Sequence, residues 1–319
     1  MGKVLVTASH YKELCSESIK LLEAEGHEVI LNSSDMPYYS FEELKKVVPD
    51  IDAAIIGMDK WNEAVFDLAK NLKVLARFGV GVDNIDLEKA KEHGIKVVNA
   101  VGKNANAVAE LAIGQIFSLL RNLPRLNQGL VEGQWLRFVG HEIKGKTIGL
   151  LGFGDIARRV AKKLSGFDTR ILAYDKFPNE KLATELDVEL VSQKYLLENS
   201  DLVSIHVPSN KETYHMLDRT IFDSMKVGSY LINTARGAII DIEALCDAVE
   251  SGHLAGAAID VYETEPLPMD ARVLRTDNII CTPHTGAETF ETYQDISIFC
   301  AETVIAVLQG KEPRNWLNK

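Results

Sequence analysis

Short apolar runs rich in β-branched residues recur through the first hundred residues, separated by stretches in which polar residues dominate. Five of these runs are predicted strands: KVLVTA, EVILNS, AAIIG, KVLAR and KVVNA, all between Lys3 and Ala100. Their apolarity is continuous instead of alternating, which is typical of strands that are covered on both faces of a parallel sheet. Five such strands with helices between them predict a complete doubly wound α/β domain.

A second series of strands follows a long segment, NANAVAELAIGQIFSLLRNL, whose apolar residues recur at helical spacing. Six runs make up this series: TIGLLG, RILAYD, LVSIHV, SYLINTA, GAAID and NIICTPH. Six is the strand number of a Rossmann domain. The last apolar segment, ETYQDISIFCAETVIAVLQG, is a predicted helix with no strand after it. It must dock on a sheet formed earlier in the chain, and the first domain is available.

Composition excludes several classes of protein. The net charge is -11 and no run of basic residues occurs, which disfavours nucleic acid as a partner. An anionic substrate would need particular arginines, because the overall charge repels it. The four cysteines are far apart and form no CxxC pair, which disfavours a disulfide framework and a zinc site. No apolar run approaches the ~18 residues of a membrane span, and the first one is too short for a signal peptide. A soluble cytoplasmic protein is expected.

The stretch GLLGFGDIARRV, from Gly149 to Val160, has the form of a strand that ends in glycines and is followed at once by a helix. Gly152 would permit the tight turn, Gly154 would let the backbone approach a pyrophosphate, and the small Ala157 would allow close helix packing. Amides at the helix N-terminus would then face the phosphates of a dinucleotide. Glycine turns of this kind also arise for packing reasons, so the motif alone does not identify a cofactor site.

An acidic residue in the next strand supports the cofactor interpretation. The run RILAYD ends in Asp175, eighteen residues beyond Ala157, where a carboxylate would accept hydrogen bonds from the adenosine ribose hydroxyls. A carboxylate there would repel a 2′-phosphate, which favours NAD over NADP, although the adjacent Lys176 leaves NADP open. The alternative for Asp175 is a solvated loop acid or a helix cap.

Three further strand ends carry charged or titratable side chains: NTARGAIID, IDVYETEP and CTPHTGA. Ligands bind beyond the carboxyl ends of parallel strands, so Arg236, Asp260, Glu265 and His284 are expected to converge there. Taken singly, a histidine at a strand end is more often structural, and an arginine is more often part of a surface ion pair. The functional interpretation therefore depends on the combination.

Hydride transfer between a hydroxy acid and a nicotinamide requires residues of these types. His284 would take the hydroxyl proton near neutral pH, and Glu265 would hold the imidazole by its second nitrogen. Arg236 would grip the substrate carboxylate and polarise the carbonyl oxygen. Asp260 would accept a hydrogen bond from the nicotinamide carboxamide.

The ordered set ARFGVGVDNID, LLGFGDIA, Asp175, NTARGAIID, DVYETEP and TPHTGA resembles the D-isomer-specific 2-hydroxyacid dehydrogenases, especially their phosphoglycerate dehydrogenase-like branch. The resemblance covers essentially the whole chain and implies an NAD-dependent oxidoreductase with two doubly wound parallel-sheet domains. A Rossmann NAD-binding domain, residues 101–287, would be inserted into a flavodoxin-like substrate-binding domain formed by residues 1–100 and 288–319. The resemblance also implies a homodimer paired through the NAD-binding domain, with the helix from about Asn104 at the contact.

The resemblance also implies a set of site residues. The catalytic triad would be Arg236, Glu265 and His284. Backbone amides of Val80 and Gly81, in the FGVG loop, would help bind the substrate carboxylate. The candidate cofactor-binding residues are Gly152, Gly154, Asp155, Ile156, Asp175, His206, Pro208, Thr234, Asp260 and Gly286, and the candidate substrate-binding residues are Arg77, Val80, Gly81 and Arg236. No metal is expected.

The substrate stays open as a small (R)-2-hydroxy acid or its 2-keto acid, with 3-phosphoglycerate, hydroxypyruvate and glyoxylate as candidates. Gly57 stands roughly where some phosphoglycerate enzymes place a phosphate-contacting arginine, so Arg77 is either a phosphate partner or an ordinary paired arginine. The alternative from another class is an NAD(H)-sensing interaction protein like the C-terminal binding protein corepressors, which keep the triad. Formate dehydrogenase chemistry is disfavoured, because that branch has Gln where Glu265 stands.

Overall fold

A computed structural model describes residues 2–34 and 38–319, and these ranges contain twelve strands and thirteen α-helices. The strands are β1 (Lys3–Val6), β2 (Glu28–Leu31), β3 (Ala53–Ile56), β4 (Val74–Arg77), β5 (Lys96–Asn99), β6 (Thr147–Leu151), β7 (Arg170–Tyr174), β8 (Val188–Leu190), β9 (Leu202–Ile205), β10 (Ser229–Asn233), β11 (Leu254–Ile259) and β12 (Ile279–Cys281). The helices are α1 (Tyr11–Leu14), α2 (Ser16–Ala24), α3 (Phe41–Val47), α4 (Glu63–Phe66), α5 (Leu87–Glu92), α6 (Ala105–Leu120), α7 (Leu123–Val131), α8 (Asp155–Leu164), α9 (Glu180–Glu185), α10 (Gln193–Asn199), α11 (Arg219–Ser224), α12 (Ile242–Glu250) and α13 (Phe290–Leu308).

The chain divides into two compact units, each built around its own parallel sheet. Unit 1 consists of Met1–Asn104 and Ala287–Lys319, and unit 2 is Ala105–Gly286. The sheet of unit 1 has the strand order β2-β1-β3-β4-β5, with every neighbouring pair parallel. This is the flavodoxin-like doubly wound order, so the α/β fold class predicted for this part of the chain is confirmed.

Both faces of the sheet in unit 1 are covered by apolar side chains. On one face, α13 packs against β3, β4 and α2, and its Ile296, Cys300 and Val304 are buried in one cluster with Val4 and Val98. On the other face, a second cluster is formed by strand residues and by residues 39–72 and 85–97. The continuous apolarity of the strands follows from this two-sided burial.

The segment after α13 extends the edge of the same sheet. The Leu317 N–H donates to the Val97 carbonyl at 2.9 Å, and the Val97 N–H donates to Oδ1 of Asn318 at 2.9 Å. The Asn318 side chain also donates to the Ile95 carbonyl at 2.8 Å. The polar groups at the outer edge of β5 are therefore satisfied within the chain, which protects an edge that would otherwise be free to pair.

The sheet of unit 2 has seven parallel strands in the order β12-β11-β10-β9-β6-β7-β8. The order reverses between β6 and β9, as in a Rossmann fold. The sequence predicted six strands here and missed β8, whose three residues, VEL, are too few to show a pattern and include the exposed Glu189. The strand is defined by its pairing with β7, which is a tertiary contact.

The long helix α6 is an internal element of unit 2. It packs against α8, β10 and β11, with Ala109, Ala112 and Ile116 fully buried in the same cluster as Leu150 of β6. In the described ranges no helix is both long and apolar enough to cross a bilayer. All four cysteines are free thiols.

Replacing Ile296 by alanine tests whether α13 is part of the core of unit 1. Ile296 is 1% exposed, so Ile296→Ala should lower the free energy of unfolding of this unit by about 2–5 kcal/mol, through lost burial and a residual cavity. The matched control is Glu302→Ala on the exposed side of the same helix, expected to change it by less than about 0.5 kcal/mol. Urea unfolding of the whole chain measures both, and equal stability of the two variants would contradict the packing.

Candidate active site

The glycine turn of unit 2 lies at the point where the strand order reverses, between β6 and α8. Gly152 has φ +98°, a conformation that side chains with a Cβ rarely adopt, and its N–H donates to the Tyr174 carbonyl at 2.8 Å. A Cβ at Gly152 would lie 2.7 Å from the backbone carbonyl group of His206. Only glycine fits where these chain segments meet, so the predicted tight turn is required by the fold itself.

The N-terminus of α8 has the form of an anion-binding site. Gly154 is its N-cap and provides no side-chain cap, and an added Cβ there would meet nothing within 4 Å. The Asp155 side chain turns to Arg159 in an ion pair at 3.2 Å, and Ile156 packs on the apolar core. The backbone N–H groups of this first turn are thus available to a phosphate, whereas the side chains of Asp155 and Ile156 are committed elsewhere.

Asp175 follows β7 and lies against the glycine turn. One carboxylate oxygen accepts from the Phe153 N–H at 2.7 Å, and the other accepts from the Phe177 N–H at 2.8 Å. The carboxylate therefore fixes the glycine turn relative to the end of the neighbouring strand. Each oxygen keeps a lone pair that can accept from a ribose hydroxyl.

The residues that follow β9 and β10 include polar groups that are partly or fully removed from solvent. Desolvation lowers the pKa of His206 to about 4, so its imidazole is neutral at pH 7, with Nε2 2.9 Å from Oγ of Ser204. Pro208, two residues further on, is exposed. The Oγ1 atom of Thr234 is buried and has no hydrogen-bond partner among the described residues. Such an unsatisfied hydroxyl costs free energy, which a polar group of a bound cofactor would recover.

A short contact joins two of the predicted catalytic residues, Glu265 and His284. Nδ1 of His284 lies 2.7 Å from Oε2 of Glu265, whose Oε1 accepts from the Tyr262 N–H at 2.9 Å. Burial alone would raise the pKa of Glu265, but these two hydrogen bonds and the charge of Arg236 lower it below its ordinary value. Glu265 is therefore ionised at neutral pH and fixes the orientation of the imidazole.

Asp260 holds the loop that carries His284. This carboxylate, 1% exposed, accepts from Oγ1 of Thr282 at 2.6 Å, from the Thr285 N–H at 2.9 Å and from the Gly286 N–H at 2.9 Å. His284 lies between these donors with φ +54°, in the left-handed region, and its N–H donates to the Asp260 carbonyl at 2.7 Å. A strained backbone of this kind persists only where its surroundings fix it, and here Asp260 does so.

Arg236 follows β10 and precedes a short 3₁₀ turn, Gly237–Ile239. Its carbonyl accepts from the Asn233 side chain at 2.9 Å, and its Nη1 donates to the Ala235 carbonyl at 2.7 Å. A Cβ at Gly237 would lie 2.0 Å from the Tyr262 backbone, so the segments that carry Arg236 and Glu265 pack directly on each other. Unit 2 thus brings Arg236, Glu265 and His284 to one edge of its sheet.

In unit 1, the predicted substrate loop, residues 77–81, follows β4. The Gly79 and Val80 carbonyls accept hydrogen bonds from the Ala100 N–H and the Asn99 side chain, both within unit 1. The N–H groups of Val80 and Gly81 have no acceptor within residues 2–34 and 38–319. Two successive N–H groups without an acceptor form an anion-binding feature.

Sequence reasoning missed several residues that support these sites. Asn99, at the end of β5, donates to the Val80 carbonyl at 2.6 Å. Gln115 of α6, 3% exposed, donates to Oγ1 of Thr282, and the Tyr262 hydroxyl donates to the Thr282 carbonyl at 3.1 Å. The signal that could have found Asn99 and Gln115 is a polar side chain within an otherwise apolar buried segment.

The comparisons with known proteins agree with this architecture. Residues 113–286 match the family model of the D-isomer specific 2-hydroxyacid dehydrogenase, NAD binding domain. The chain therefore belongs to the D-isomer-specific 2-hydroxyacid dehydrogenases, which are NAD-dependent oxidoreductases, and unit 2 contains their NAD-binding domain. The family predicted from the motifs is confirmed.

Three relatives of this chain are enzymes with different named activities. The chain is 38% identical to a D-3-phosphoglycerate dehydrogenase of Archaeoglobus fulgidus over 99% of its own length and 59% of that protein. It is 39% identical to a hydroxypyruvate reductase of Thermotoga maritima, over 90% of this chain and 96% of that protein. A glyoxylate reductase of Thermofilum pendens is 41% identical, over 91% of this chain and 88% of that protein. The chain thus spans little more than half of the first relative and most of the other two.

Solved structures lead to the same family. The structure of an apo D-lactate dehydrogenase from Escherichia coli aligns with a TM-score of 0.88 and 30% identity, over 99% of this chain and 100% of that one. The NAD complex of a formate dehydrogenase from Staphylococcus aureus aligns with a TM-score of 0.84 and 32% identity, over 98% and 97%. NAD is the cofactor, and the glycine turn, the uncapped N-terminus of α8 and the buried Thr234 hydroxyl fit it.

The two glycines of the turn should respond differently to alanine. In Gly152→Ala, a strained φ and a clash with His206 should cost about 1–3 kcal/mol of stability and weaken NADH binding as well. Gly154→Ala is the matched control: its φ of -74° and open surroundings tolerate a methyl group, so the melting temperature should fall less than in Gly152→Ala, by no more than the cost of alanine at an N-cap. The NADH dissociation constant should still rise about tenfold or more, because the methyl group would meet the pyrophosphate. Unchanged NADH binding in Gly154→Ala would contradict this placement of the phosphates.

Proposed function

We propose that the protein interconverts a small (R)-2-hydroxy acid and the matching 2-keto acid with NAD, using Arg236, Glu265 and His284 as its catalytic residues. The observation that carries the proposal is the 2.7 Å contact between His284 Nδ1 and Glu265 Oε2, next to Arg236. This is a proton-transfer pair with an adjacent cation, within the NAD-binding domain of the family.

His284 is the proton carrier in this proposal. NAD, when bound, accepts or donates the hydride. Nδ1 of His284 is engaged by Glu265, so Nε2 is the atom that takes the hydroxyl proton in oxidation and returns it in reduction. The pKa of Glu265 is held below its ordinary value, so this carboxyl group carries a negative charge at neutral pH. That charge stabilises the imidazolium of His284 when it forms.

Arg236 acts on the acid itself. Its guanidinium holds the substrate carboxylate and polarises the 2-keto oxygen, which develops negative charge as the hydride arrives. The N–H groups of Val80 and Gly81 are also assigned to the substrate carboxylate. This role is supported by their lack of an acceptor among the described residues.

The cofactor contacts follow the strand ends of unit 2. Gly154, Asp155 and Ile156 provide backbone N–H groups for the pyrophosphate, next to Gly152, and Asp175 accepts from the ribose hydroxyls. The remaining contacts are assigned to His206, Pro208, Thr234, Asp260 and Gly286. Asp260 has a double role, because it already holds the loop of His284 and keeps a lone pair on Oδ2 for the carboxamide. Asp175 makes NAD the preferred form over NADP.

The substrate candidates are hydroxypyruvate, glyoxylate and 3-phosphoglycerate, the acids after which the three relatives above are named. Formate is disfavoured, although a formate dehydrogenase aligns well, because Glu265 stands where that branch has Gln. The alternative of a corepressor-like interaction protein finds no support, since the relatives are enzymes.

We also propose a homodimer in the cytoplasm. The segment from α7 to Val139 exposes several large apolar side chains, among them Leu130, Val131 and Trp135 at 58%, 74% and 84%, and Val139 at 97%. Contiguous exposed apolar groups of this kind mark a protein interface. The resemblance also predicts α6 at the contact, and this segment follows α6 directly in the chain. The free thiols are consistent with a reducing compartment.

Purified protein should oxidise NADH with at least one of hydroxypyruvate, glyoxylate or phosphohydroxypyruvate. His284→Ala should lower kcat by about 10²–10⁴-fold, as expected for loss of a general acid and base, with NADH affinity unchanged. The control His141→Ala removes an exposed imidazole of the same unit and should leave kcat unchanged. Absence of turnover across the panel, or full activity of His284→Ala, would overturn the proposal.

The dimer can be tested by charge substitution. Trp135→Glu combined with Val139→Glu should raise the dimer dissociation constant by about tenfold or more, because it places charge in the buried centre of the interface. Met269→Glu, which alters an 85% exposed apolar side chain elsewhere in unit 2, is the control. Sedimentation equilibrium distinguishes the outcomes, and a wild-type monomer or an unaffected double variant would exclude this interface.

A further inference from the structure

Arg77, the last residue of β4, turns its side chain back into the loop that follows it. Its Nε donates to the Gly81 carbonyl at 3.0 Å, and its Nη1 donates to the Phe78 carbonyl. Its Nη2 lies 3.9 Å from the sulfur of Met58. Two of the three guanidinium nitrogens are therefore engaged by carbonyls from the first and the last part of the loop.

The loop is folded closely around this guanidinium. Gly79, between the two bonded carbonyls, has φ +147°, and a Cβ there would lie 3.0 Å from Nη1 and 3.3 Å from Cζ of Arg77. The absence of a side chain at Gly79 is what allows the cation to occupy this position. Arg77 thus forms the interior of the loop and does not extend away from it.

All carbonyls of the loop accept hydrogen bonds inside unit 1. Besides the two held by Arg77, the Gly79 carbonyl accepts from the Ala100 N–H at 2.8 Å, and the Val80 carbonyl accepts from the Asn99 side chain at 2.6 Å. The carbonyl and the N–H of one planar peptide point in opposite directions. Fixing the Gly79 and Val80 carbonyls therefore turns the N–H groups of Val80 and Gly81 the other way, and the clamp on the neighbouring carbonyls prevents these peptides from rotating.

We propose that Arg77 is a positioning residue, which holds the Val80 and Gly81 N–H groups for the carboxylate of the substrate and does not itself bind a substrate phosphate. The proposal rests on the carboxylate-binding role given above to this loop. The fixed positive charge behind the loop also favours an anion in front of it. Because the loop carbonyls already engage the guanidinium, the binding of a phosphorylated acid and of an unphosphorylated acid should depend on Arg77 to the same extent.

The test compares Arg77→Lys and Arg77→Gln on hydroxypyruvate and phosphohydroxypyruvate. In both variants KM should rise about tenfold or more for each acid by a similar factor, with kcat reduced less than about threefold, because pre-orientation of a binding group is lost. Lysine should not rescue, since a single ammonium cannot span two carbonyls. The NADH dissociation constant should stay unchanged, because the cofactor contacts belong to unit 2. Arg314→Gln, at the exposed second arginine of unit 1, should behave as wild type.

A loss confined to phosphohydroxypyruvate would overturn the proposal and make Arg77 a phosphate ligand. Unchanged KM for both acids would overturn it as well. A separate readout, the dissociation constant of oxamate from the protein loaded with NADH, reports carboxylate binding without turnover. It should rise about tenfold in both variants. If the wild-type protein binds oxamate but reduces no keto acid, the proposed reaction is wrong. The oxamate dissociation constants of the variants still test the role of Arg77 in that case. Equal oxamate affinity in wild type and variants, or none in wild type, would exclude that role.

Discussion

Parallel pairing of strands is the constraint on which both the fold and the site depend. Each parallel strand must be covered on both faces, and its carboxyl end must meet those of its neighbours at one edge. In unit 2 this places the glycine turn after β6 between the ends of β7 and β9, and it places the segments that carry Arg236 and His284 further along the same edge. In unit 1 it places the loop after β4 beside Asn99. The chemistry is assembled from distant parts of the sequence because backbone pairing leaves these segments no other common edge.

Much of this organisation could be predicted from the sequence, and the remainder could not for physical reasons. Continuous apolar runs marked eleven of the twelve strands, and a glycine turn followed by Asp175 marked the cofactor domain. The strand β8 was missed because pairing with β7, not local pattern, creates it. The contact between Glu265 and His284 was inferred from chemistry. The network of Asp260 with its four donors and the inward turn of Arg77 depend on side-chain direction, which spacing does not determine.

Backbone N–H groups without an acceptor among the described residues occur in both units, in a protein whose net charge is -11. At α8 the amides come from a helix that begins without a side-chain cap, and at residues 80 and 81 they come from a loop whose carbonyls are all engaged. Amides fixed in this way can bind an anion without an exposed cationic side chain. The attraction for the anion is then confined to the site, and the rest of the surface stays acidic. In the proposed reaction, the guanidinium of Arg236 is the cation that polarises the 2-keto oxygen, on which negative charge develops.

The two-part construction of unit 1 has a consequence for the order in which the chain folds during synthesis. Residues 105–286 form a continuous unit that is complete as soon as it leaves the ribosome. The five strands of unit 1 are made earlier, but one face of their sheet is covered by α13, and the edge of β5 is covered by residues 317 and 318. The part of unit 1 that precedes unit 2 is therefore completed only after unit 2 has been made, and its apolar face and open edge stay exposed while some 180 residues are added. An exposed apolar face and an unpaired strand edge favour association with other chains during that interval.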